Sequence, residues 1–223
     1  MPSLAVILPA AGASARFGTD ADKLLAPLGD RPVIARSLGA FLVRRDVVQI
    51  IVPTRRPDLL AGQIPRDERV RTCPGGECRA QSVLRGLQAL PDDIEWVAIH
   101  DAARPLVTQE LIDRTFACAQ EYGAAVPAMP VALTVKEARA PLPARVTRTV
   151  PRADLWSMQT PQIMRRADLL DAFARCPAPL DDITDDAQLL ELAGREVWLV
   201  AGEERNIKIT TPTDLRLAET LLQ

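Results

Sequence analysis

Short apolar runs alternate with longer amphipathic segments along the chain. Four runs are almost continuously apolar, as is typical of parallel strands covered on both faces of a sheet, at residues 4–8, 47–52, 96–100 and 197–200. Longer segments carry apolar residues at helical spacing, at residues 32–43, 79–90, 109–122 and 186–192. A last helix is predicted to begin at Thr211, a suitable N-cap, with Pro212 at its first position. The alternation predicts an α/β protein with a doubly wound, mainly parallel sheet and right-handed crossovers.

Residues 136–160 depart from this alternation. They are rich in proline, and basic residues alternate with β-branched ones between Arg145 and Val150. The pattern predicts a β-hairpin that projects from the fold as an arm, because regular α/β signals resume after it. We therefore predict a single domain over residues 1–223 that contains this arm.

Composition and charge narrow the class of function. The chain has 223 residues, of which 48% are hydrophobic and 25% are charged, as in an ordinary globular domain. Its formal net charge of -2 provides no basic field for nucleic acid. No apolar stretch reaches the roughly 20 residues that a membrane span requires. We expect neither nucleic acid nor a membrane as a partner.

The N-terminus and the cysteines indicate the compartment. The first residues lack the Lys or Arg of a signal peptide, and Pro9 interrupts their apolar run. The four cysteines show no CxxC spacing, and the chain has a single histidine, so a zinc site is not expected. Free thiols fit a reducing compartment, and we expect a cytoplasmic protein.

The first candidate for chemistry is the loop that follows the first predicted strand. In a doubly wound sheet, loops at the carboxyl ends of strands form the ligand crevice. The small residues Ala10, Ala11 and Gly12 allow backbone N–H groups to approach phosphate oxygens. Arg16 and Lys23 supply positive charge beside them. The loop matches neither GxGxxG nor GxxxxGK[ST], which argues against dinucleotide and P-loop sites.

Other segments carry polar residues at the ends of predicted elements. The Gly75-Gly76 turn opens a helix whose N-terminal N–H groups suit a base edge or a phosphate. Asp101 follows the most apolar strand, where a carboxylate can hold Mg²⁺, although a turn or cap residue is the alternative. We interpret His100 as a structural histidine. Residues 184–187 and 206–210 also fit an ordinary helix N-cap and an edge strand.

In their order along the chain, these segments resemble the 2-C-methyl-D-erythritol 4-phosphate cytidylyltransferase family of isoprenoid biosynthesis. The resemblance covers almost the whole chain, and the ordered set is specific although each motif alone is not. The matching motifs are Pro9-Ala10-Ala11-Gly12 with Arg16 and Lys23, Gly75-Gly76 with Arg79 and Ser82-Val83, His100-Asp101-Ala102-Ala103-Arg104-Pro105, Gln159-Thr160-Pro161-Gln162, Thr184-Asp185-Asp186-Ala187 and Asn206-Ile207-Lys208-Ile209-Thr210.

The resemblance implies a Rossmann-like nucleotidyltransferase fold and a Mg²⁺-dependent reaction. In that reaction, CTP and 2-C-methyl-D-erythritol 4-phosphate give 4-diphosphocytidyl-2-C-methyl-D-erythritol and pyrophosphate. The resemblance also implies a homodimer in which residues 136–160 are a dimerisation arm that reaches into the partner's site. Residues 75–82 are expected to contact cytosine and ribose.

The resemblance further assigns roles to single residues. Arg16 and Lys23 are expected to stabilise the transition state on the triphosphate, and Asp101 to lie at the metal. Arg152 and Lys208 are expected to hold the methylerythritol phosphate as part of the catalytic set. The other residues expected to bind or surround the substrates are Ala10, Ala11, Gly12, Gly75, Gly76, Arg79, Ser82, Arg104, Thr134, Thr160 and Asp185.

The chain departs from the family pattern in a few places. Leu24 and Leu25 follow the lysine where the family usually has Gln and an aromatic residue. Leu133 stands where an Asp is common, next to the expected pocket residue Thr134. Some relatives carry a second, cyclodiphosphate-forming domain, and we expect that activity to be absent because the chain ends at Gln223.

The chemistry requires charge neutralisation more than proton transfer. A phosphate monoester has a second pKa of about 6, so the acceptor is already an anionic nucleophile at neutral pH. Positioned Arg, Lys and Mg²⁺ would bring this anion to the α-phosphorus of a polyanion. The sequence therefore predicts a site without a side-chain nucleophile or a general base.

Three alternative functions remain open at this stage. A ribitol 5-phosphate cytidylyltransferase would share the fold and differ in the pocket around Thr134 and Arg152. A non-catalytic nucleotide-binding domain of the same fold would not need the set of Arg16, Lys23, Asp101 and Lys208. An oxidoreductase is disfavoured because the glycine fingerprint of a dinucleotide site is missing.

Overall fold

The computed structural model describes residues 2–12, 17 and 22–222. Its strands are β1 (Leu4–Ile7), β2 (Pro27–Leu28), β3 (Arg31–Pro32), β4 (Val47–Thr54), β5 (Val70–Pro74), β6 (Trp96–Ile99), β7 (Ala124–Pro130), β8 (Val135–Ala138), β9 (Val146–Val150), β10 (Trp156–Met158), β11 (Gln162–Arg165) and β12 (Trp198–Ala201). Its helices are α1 (Val33–Leu42), α2 (Pro57–Ala61), α3 (Arg79–Gln88), α4 (Gln109–Tyr122), α5 (Arg166–Arg175), α6 (Asp186–Leu192) and α7 (Pro212–Leu221). A 3-10 turn spans Leu180–Asp182. None of these helices combines the length and the apolar character needed to cross a bilayer.

The central sheet is mainly parallel, as the sequence predicted. Strands β6, β1, β4 and β5 lie side by side and run parallel. Strand β11 joins this group to β7 and is antiparallel to both neighbours. Strand β10 pairs with the same edge of β7 as β11 does. Strand β12 pairs in parallel with the opposite edge of β7. The α/β class with a mainly parallel sheet is confirmed.

The sheet has a hydrophobic core on each face because successive side chains of a strand point to opposite sides. Leu4 and Val6 pack into the cluster on one face, which α1 and α4 cover. Ala5 and Ile7 pack into the cluster on the other face, which α3 and α5 cover. Gly86 allows α3 to lie close to β1, since a Cβ there would be 2.7 Å from the Ile7 Cγ2 atom.

The predicted elements differ from the observed ones mainly at the edges. The segment predicted as a buried strand at residues 197–200 becomes the edge strand β12, where Trp198 and Leu199 are 42% and 43% exposed. The prediction that this strand is buried was therefore wrong. It failed because an apolar run does not show whether its strand has a neighbour on one side or on both. Residues 206–210 do not form a strand. The Ile209 N–H nevertheless donates to the Ala103 carbonyl at 2.8 Å. At α7, Thr211 is the N-cap as predicted, and it forms a capping box with Asp214.

Strands β8 and β9 form a two-stranded antiparallel sheet of their own. Cross-strand polar contacts join them, including a hydrogen bond of 2.7 Å from Arg148 Nε to Glu137 Oε2. Most of their residues are exposed. The segment predicted as an arm at residues 136–160 also contains β10, which pairs with β7 of the central sheet.

Candidate active site

A cleft of about 290 Å³ opens at the carboxyl ends of β1, β4 and β6. This is the edge of a parallel sheet at which ligands of α/β proteins bind. The lining residues come from several loops of the chain and include many of the predicted ones. They are Pro9, Ala10, Ala11, Gly12, Lys23, Leu24, Arg55, Gly76, Glu77, Cys78, Arg79, Ser82, Asp101, Ala102, Ala103 and Lys208.

The loop after β1 is held to the neighbouring strand by its backbone. The Leu8 N–H donates to Ile51 at 2.9 Å, and the Ala10 N–H donates to Pro53 at 2.8 Å. The loop therefore continues the sheet pairing up to the cleft, and Gly12 lies exposed at its mouth. Lys23 lines the same cleft. Arg16, the other predicted cation of this loop, lies outside the described residues.

The Gly75-Gly76 turn packs against the β1 loop at a distance that excludes side chains. A Cβ on Gly75 would lie 2.4 Å from the Ala11 Cβ, and one on Gly76 would lie 2.3 Å from the Gln81 Cβ. The Gly76 N–H donates to the buried Ser82 hydroxyl at 2.9 Å. Glycine is therefore required here for close approach, and Ser82 shapes the turn from within.

Two arginines hold the carbonyls of this turn. Arg55 Nε donates to the Gly76 carbonyl at 2.9 Å, and Arg85 donates to the Gly75 carbonyl. Arg55 also lines the cleft, and sequence reasoning missed it. Its position three residues after the predicted strand at residues 47–52 was the available signal.

The Asp101 carboxylate is the electrostatic centre of the cleft. Its Oδ2 atom lies 3.0 Å from Lys208 Nζ and 3.3 Å from Arg104 Nε, and its Oδ1 atom lies 3.6 Å from Arg79 Nε. Burial raises the pKa of Asp101, but the charges of Arg79, Lys208 and Arg104 outweigh it and hold that pKa well below the ordinary value. Asp101 is therefore a carboxylate throughout the neutral range.

Arg79 bridges two carboxylates that are distant in sequence. Its Nη2 atom lies 2.7 Å from Oδ2 of Asp186, whose side chain is fully buried. Burial lowers the pKa of Arg79, and the charges of Asp186 and Asp101 more than offset this and raise it above the ordinary value. Burial also raises the pKa of Asp186, against the effect of Arg79. The two contacts of Arg79 thus connect α6 to the strand-end loop that carries Asp101.

The neighbouring Asp185, which is predicted to bind substrate, is the N-cap of α6. Its Oδ1 atom accepts from the Gln188 N–H at 2.9 Å and caps α6, and its Oδ2 atom accepts from Gln162 Nε2 at 3.0 Å. Asp185 does not belong to the cleft lining. Both aspartates were visible in the sequence, and only their orientation at the helix start separates their roles.

Other predicted residues lie behind or away from the cleft. Thr160 is buried, and its hydroxyl accepts from the Asp101 N–H at 3.0 Å. Arg104 donates to the Asn206 carbonyl at 2.7 Å as well as contacting Asp101. Thr134 and Arg152 are exposed and lie outside the lining. Arg152 donates to the Val131 carbonyl at 3.0 Å, so this chain alone does not bring it to the cleft.

His100 is fully buried behind the cleft, and burial lowers its pKa to about 4. The ordinary pKa of a histidine is about 6.5, so between pH 6.5 and 4 this side chain is protonated in the unfolded chain and neutral in the folded one. Stability should therefore fall as the pH decreases from 6.5 to 4, by about 3 kcal/mol in total. Urea unfolding at a series of pH values measures this slope.

The His100→Asn variant is the control for that slope, because it removes the only histidine. The pKa of Asp186 is raised, so its titration lowers stability as the pH rises above the ordinary pKa of an aspartate. This contribution is present in both proteins. The difference between the two curves isolates His100. Parallel curves would contradict the expectation.

Solved structures with the same fold define the class of the protein. The crystal structure of 4-diphosphocytidyl-2C-methyl-D-erythritol synthase from Anaerococcus prevotii matches with a TM-score of 0.85 and 29% identity, over 100% of this chain and 99% of that one. The 2-C-methyl-D-erythritol 4-phosphate cytidylyltransferase of Thermus thermophilus matches with a TM-score of 0.80 and 35% identity, over 99% and 98%. With the strand-end cleft, these matches define an α/β nucleotidyltransferase.

The sequence comparisons are more specific than the fold. The profile of the 2-C-methyl-D-erythritol 4-phosphate cytidylyltransferase family matches residues 4–223. The protein of that name from Gloeobacter violaceus is 42% identical over 223 residues, which cover 98% of this chain and 95% of the relative. The chain belongs to the 2-C-methyl-D-erythritol 4-phosphate cytidylyltransferase family.

Proposed function

We propose that this chain transfers the cytidylyl group of CTP to 2-C-methyl-D-erythritol 4-phosphate and releases pyrophosphate. The observation that carries the proposal is the convergence of Lys208, Arg79 and Asp101 at the strand-end cleft, which Gly76 also lines. The names of the relatives at 42% identity support the choice of substrates. The free cysteines of the chain support a reducing, cytoplasmic location.

The reaction needs positioned cations and no protein nucleophile. A phosphate oxygen of the acceptor attacks the α-phosphorus of CTP, and the bond from that phosphorus to the bridging oxygen of the β-phosphate breaks. The acceptor is already mostly a dianion at neutral pH, with a second pKa of about 6, so no proton has to be removed. Lys23 and Lys208 line the cleft where both anions would meet, and their charges reduce the repulsion.

We further propose that Asp101 holds Mg²⁺ together with triphosphate oxygens. In the described part of the chain, no group of three or more His, Cys, Asp or Glu side chains is arranged to hold a metal ion. One carboxylate with substrate phosphates and water is a usual set for Mg²⁺. Asp101 fits that set because it lines the cleft and stays ionised. The ion would neutralise charge that develops on the departing pyrophosphate.

Lys208 is expected to serve the acceptor phosphate. Its side chain is 39% exposed, so it can turn from Asp101 toward a ligand in the cleft. Lys208→Gln should raise the KM for 2-C-methyl-D-erythritol 4-phosphate by about tenfold or more, because a charge-assisted hydrogen bond is lost. The KM for CTP should change far less. Steady-state kinetics with each substrate varied in turn measures both, and equal changes would remove Lys208 from acceptor binding.

The chain is proposed to act as a homodimer in which the arm of one subunit completes the site of the other. Arg152 lies on the exposed arm and outside its own cleft, which supports a role in the partner's site. Mixed dimers of inactive Arg152→Ala and inactive Lys23→Ala subunits should recover part of the activity, because one site of each hybrid is intact. Rescue is measured after subunit exchange. Proven hybrids without activity would place Arg152 in its own subunit's site.

A panel of nucleotides and sugar phosphates tests the proposed function. Pyrophosphate release should depend on Mg²⁺ and be fastest with CTP and 2-C-methyl-D-erythritol 4-phosphate. ATP and GTP should be poor donors, because the Gly75-Gly76 turn would contact the base and leave little room for a purine. A higher kcat/KM with ribitol 5-phosphate would show that the acceptor is wrong. Absence of cytidylyl transfer to either acceptor would reject the proposal.

A further inference from the structure

His100 forms a hydrogen-bonded chain with the backbone of Asp101. Its Nε2 atom lies 3.0 Å from the Arg104 carbonyl, and its Nδ1 atom lies 3.1 Å from Thr160 Oγ1. The same Thr160 oxygen lies 3.0 Å from the Asp101 backbone nitrogen. The ring also packs edge-on against Phe41 of α1 at 5.0 Å between centroids. The imidazole is therefore held on three sides behind the cleft.

The donor and acceptor properties of these groups determine where each proton lies in the series of hydrogen bonds from Arg104 to Asp101. A carbonyl only accepts, so His100 Nε2 must carry the proton that points at Arg104. A neutral imidazole has one N–H, so Nδ1 is an acceptor and the Thr160 hydroxyl must donate to it. A hydroxyl has one proton, so its oxygen is left to accept from the Asp101 N–H. His100 thus determines the direction of the Thr160 hydroxyl.

The Asp101 N–H lies where the sheet pairing stops. The His100 N–H still donates to the Ile7 carbonyl at 2.9 Å, whereas the next N–H, that of Asp101, is taken by Thr160. The buried Asp101 N–H would lack a partner if the hydroxyl were lost or reversed, and such groups are costly to leave unpaired. The backbone position of Asp101, and with it the aim of its carboxylate, depends on this contact.

We propose that His100 is a positioning residue that acts through the Thr160 hydroxyl to hold Asp101 at the cleft. This role rests on the proposed cytidylyl transfer, since Asp101 gathers the cations that the transfer uses. His100 does not line the cleft, so it acts on the reaction only through this chain. A shift of about 1 Å at the reacting groups can reduce a rate by up to about a hundredfold.

The first test needs no activity. The chain has a single histidine, so ¹⁵N NMR of the folded protein at neutral pH reports one imidazole without assignment. A protonated Nε2 and an unprotonated Nδ1 are expected. A protonated Nδ1 would overturn the proposal, whatever reaction the protein catalyses.

The second test compares matched variants in the cytidylyl transfer assay. Thr160→Val keeps the shape and removes the hydroxyl, and we expect kcat to fall by roughly tenfold or more. Thr160→Ser restores the hydroxyl and should stay within about threefold of the unaltered protein. His100→Asn places an acceptor near the Nδ1 position and should retain more kcat than His100→Gln, which places a donor near Nε2.

These outcomes separate a positioning role from simple packing. Packing alone would favour glutamine at position 100, because its volume is closer to that of histidine, and would make the Val and Ser variants at position 160 similar. Either result overturns the proposal. Failure of the unaltered protein to transfer cytidylyl would instead reject the proposed function, while the NMR result would still test the hydrogen-bond chain. If Thr160→Val does not fold, the NMR result on the unaltered protein decides.

Discussion

Lys23→Ala is expected to lower kcat for cytidylyl transfer by roughly 10²-fold or more, with a smaller change in the KM for CTP. Lys23 lines the cleft beside the β1 loop, where the triphosphate would meet the acceptor. A cation that acts on charge developing in the transition state contributes mainly to kcat. Steady-state kinetics with saturating acceptor measures the effect.

Arg45→Ala is a matched control for this loss of one positive charge. Arg45 is exposed and lies two residues before β4, at the amino end of the sheet and so opposite the cleft. Its removal should leave kcat within about twofold, because surface charges at that distance are screened. A near-normal kcat for Lys23→Ala would exclude Lys23 from the chemical step.

Asp186→Asn should destabilise the fold by about 3 kcal/mol, since removing one partner of a buried ion pair leaves Arg79 only its longer contact of 3.6 Å with Asp101. The Asp186 side chain is fully buried and lies 2.7 Å from Arg79. Asparagine preserves the shape, so the loss reports the charge. Urea unfolding at pH 7 measures the change in the free energy of unfolding.

Asp185→Asn is the matched control one residue earlier in the chain. Asp185 is only partly buried and serves as the N-cap of α6. Asparagine is about as good an N-cap as aspartate, but its NH2 group cannot accept from Gln162 Nε2 as Oδ2 does. We therefore expect a smaller loss than for Asp186→Asn, of about 1 kcal/mol. Equal effects of the two variants would show that the Arg79 pair is not the main stabilising contact of α6.

Much of the central fold was predictable because its signals are local. The buried strands at β1, β4 and β6 are continuous apolar runs, and α4 and α6 have the predicted bounds. Capping preferences likewise predicted the start of α7 from Thr211 and Pro212. These features depend on residues within a few positions of one another, and a single sequence contains that information.

The edges of the sheet and the end of the arm were less predictable. β12 is as apolar as a central strand, yet it has a neighbour on one side only. Within the segment predicted as an arm, Trp156 and Ser157 pair with β7 rather than with the hairpin. Strand pairing of this kind depends on contacts with segments distant in sequence, and the composition of a strand does not indicate which partner it will have.

The sequence by itself determined the order of strands and helices, the motifs of the strand-end loops and the family to which they belong. The tertiary structure decided which of those side chains meet. Arg79 contacts both Asp101 and Asp186, while Asp185, adjacent to Asp186, turns to cap its helix. The physical reason is that charge pairing and hydrogen-bond direction at the cleft depend on crossovers between distant segments. A motif records that a polar residue is present, and only the packed sheet determines which group it contacts.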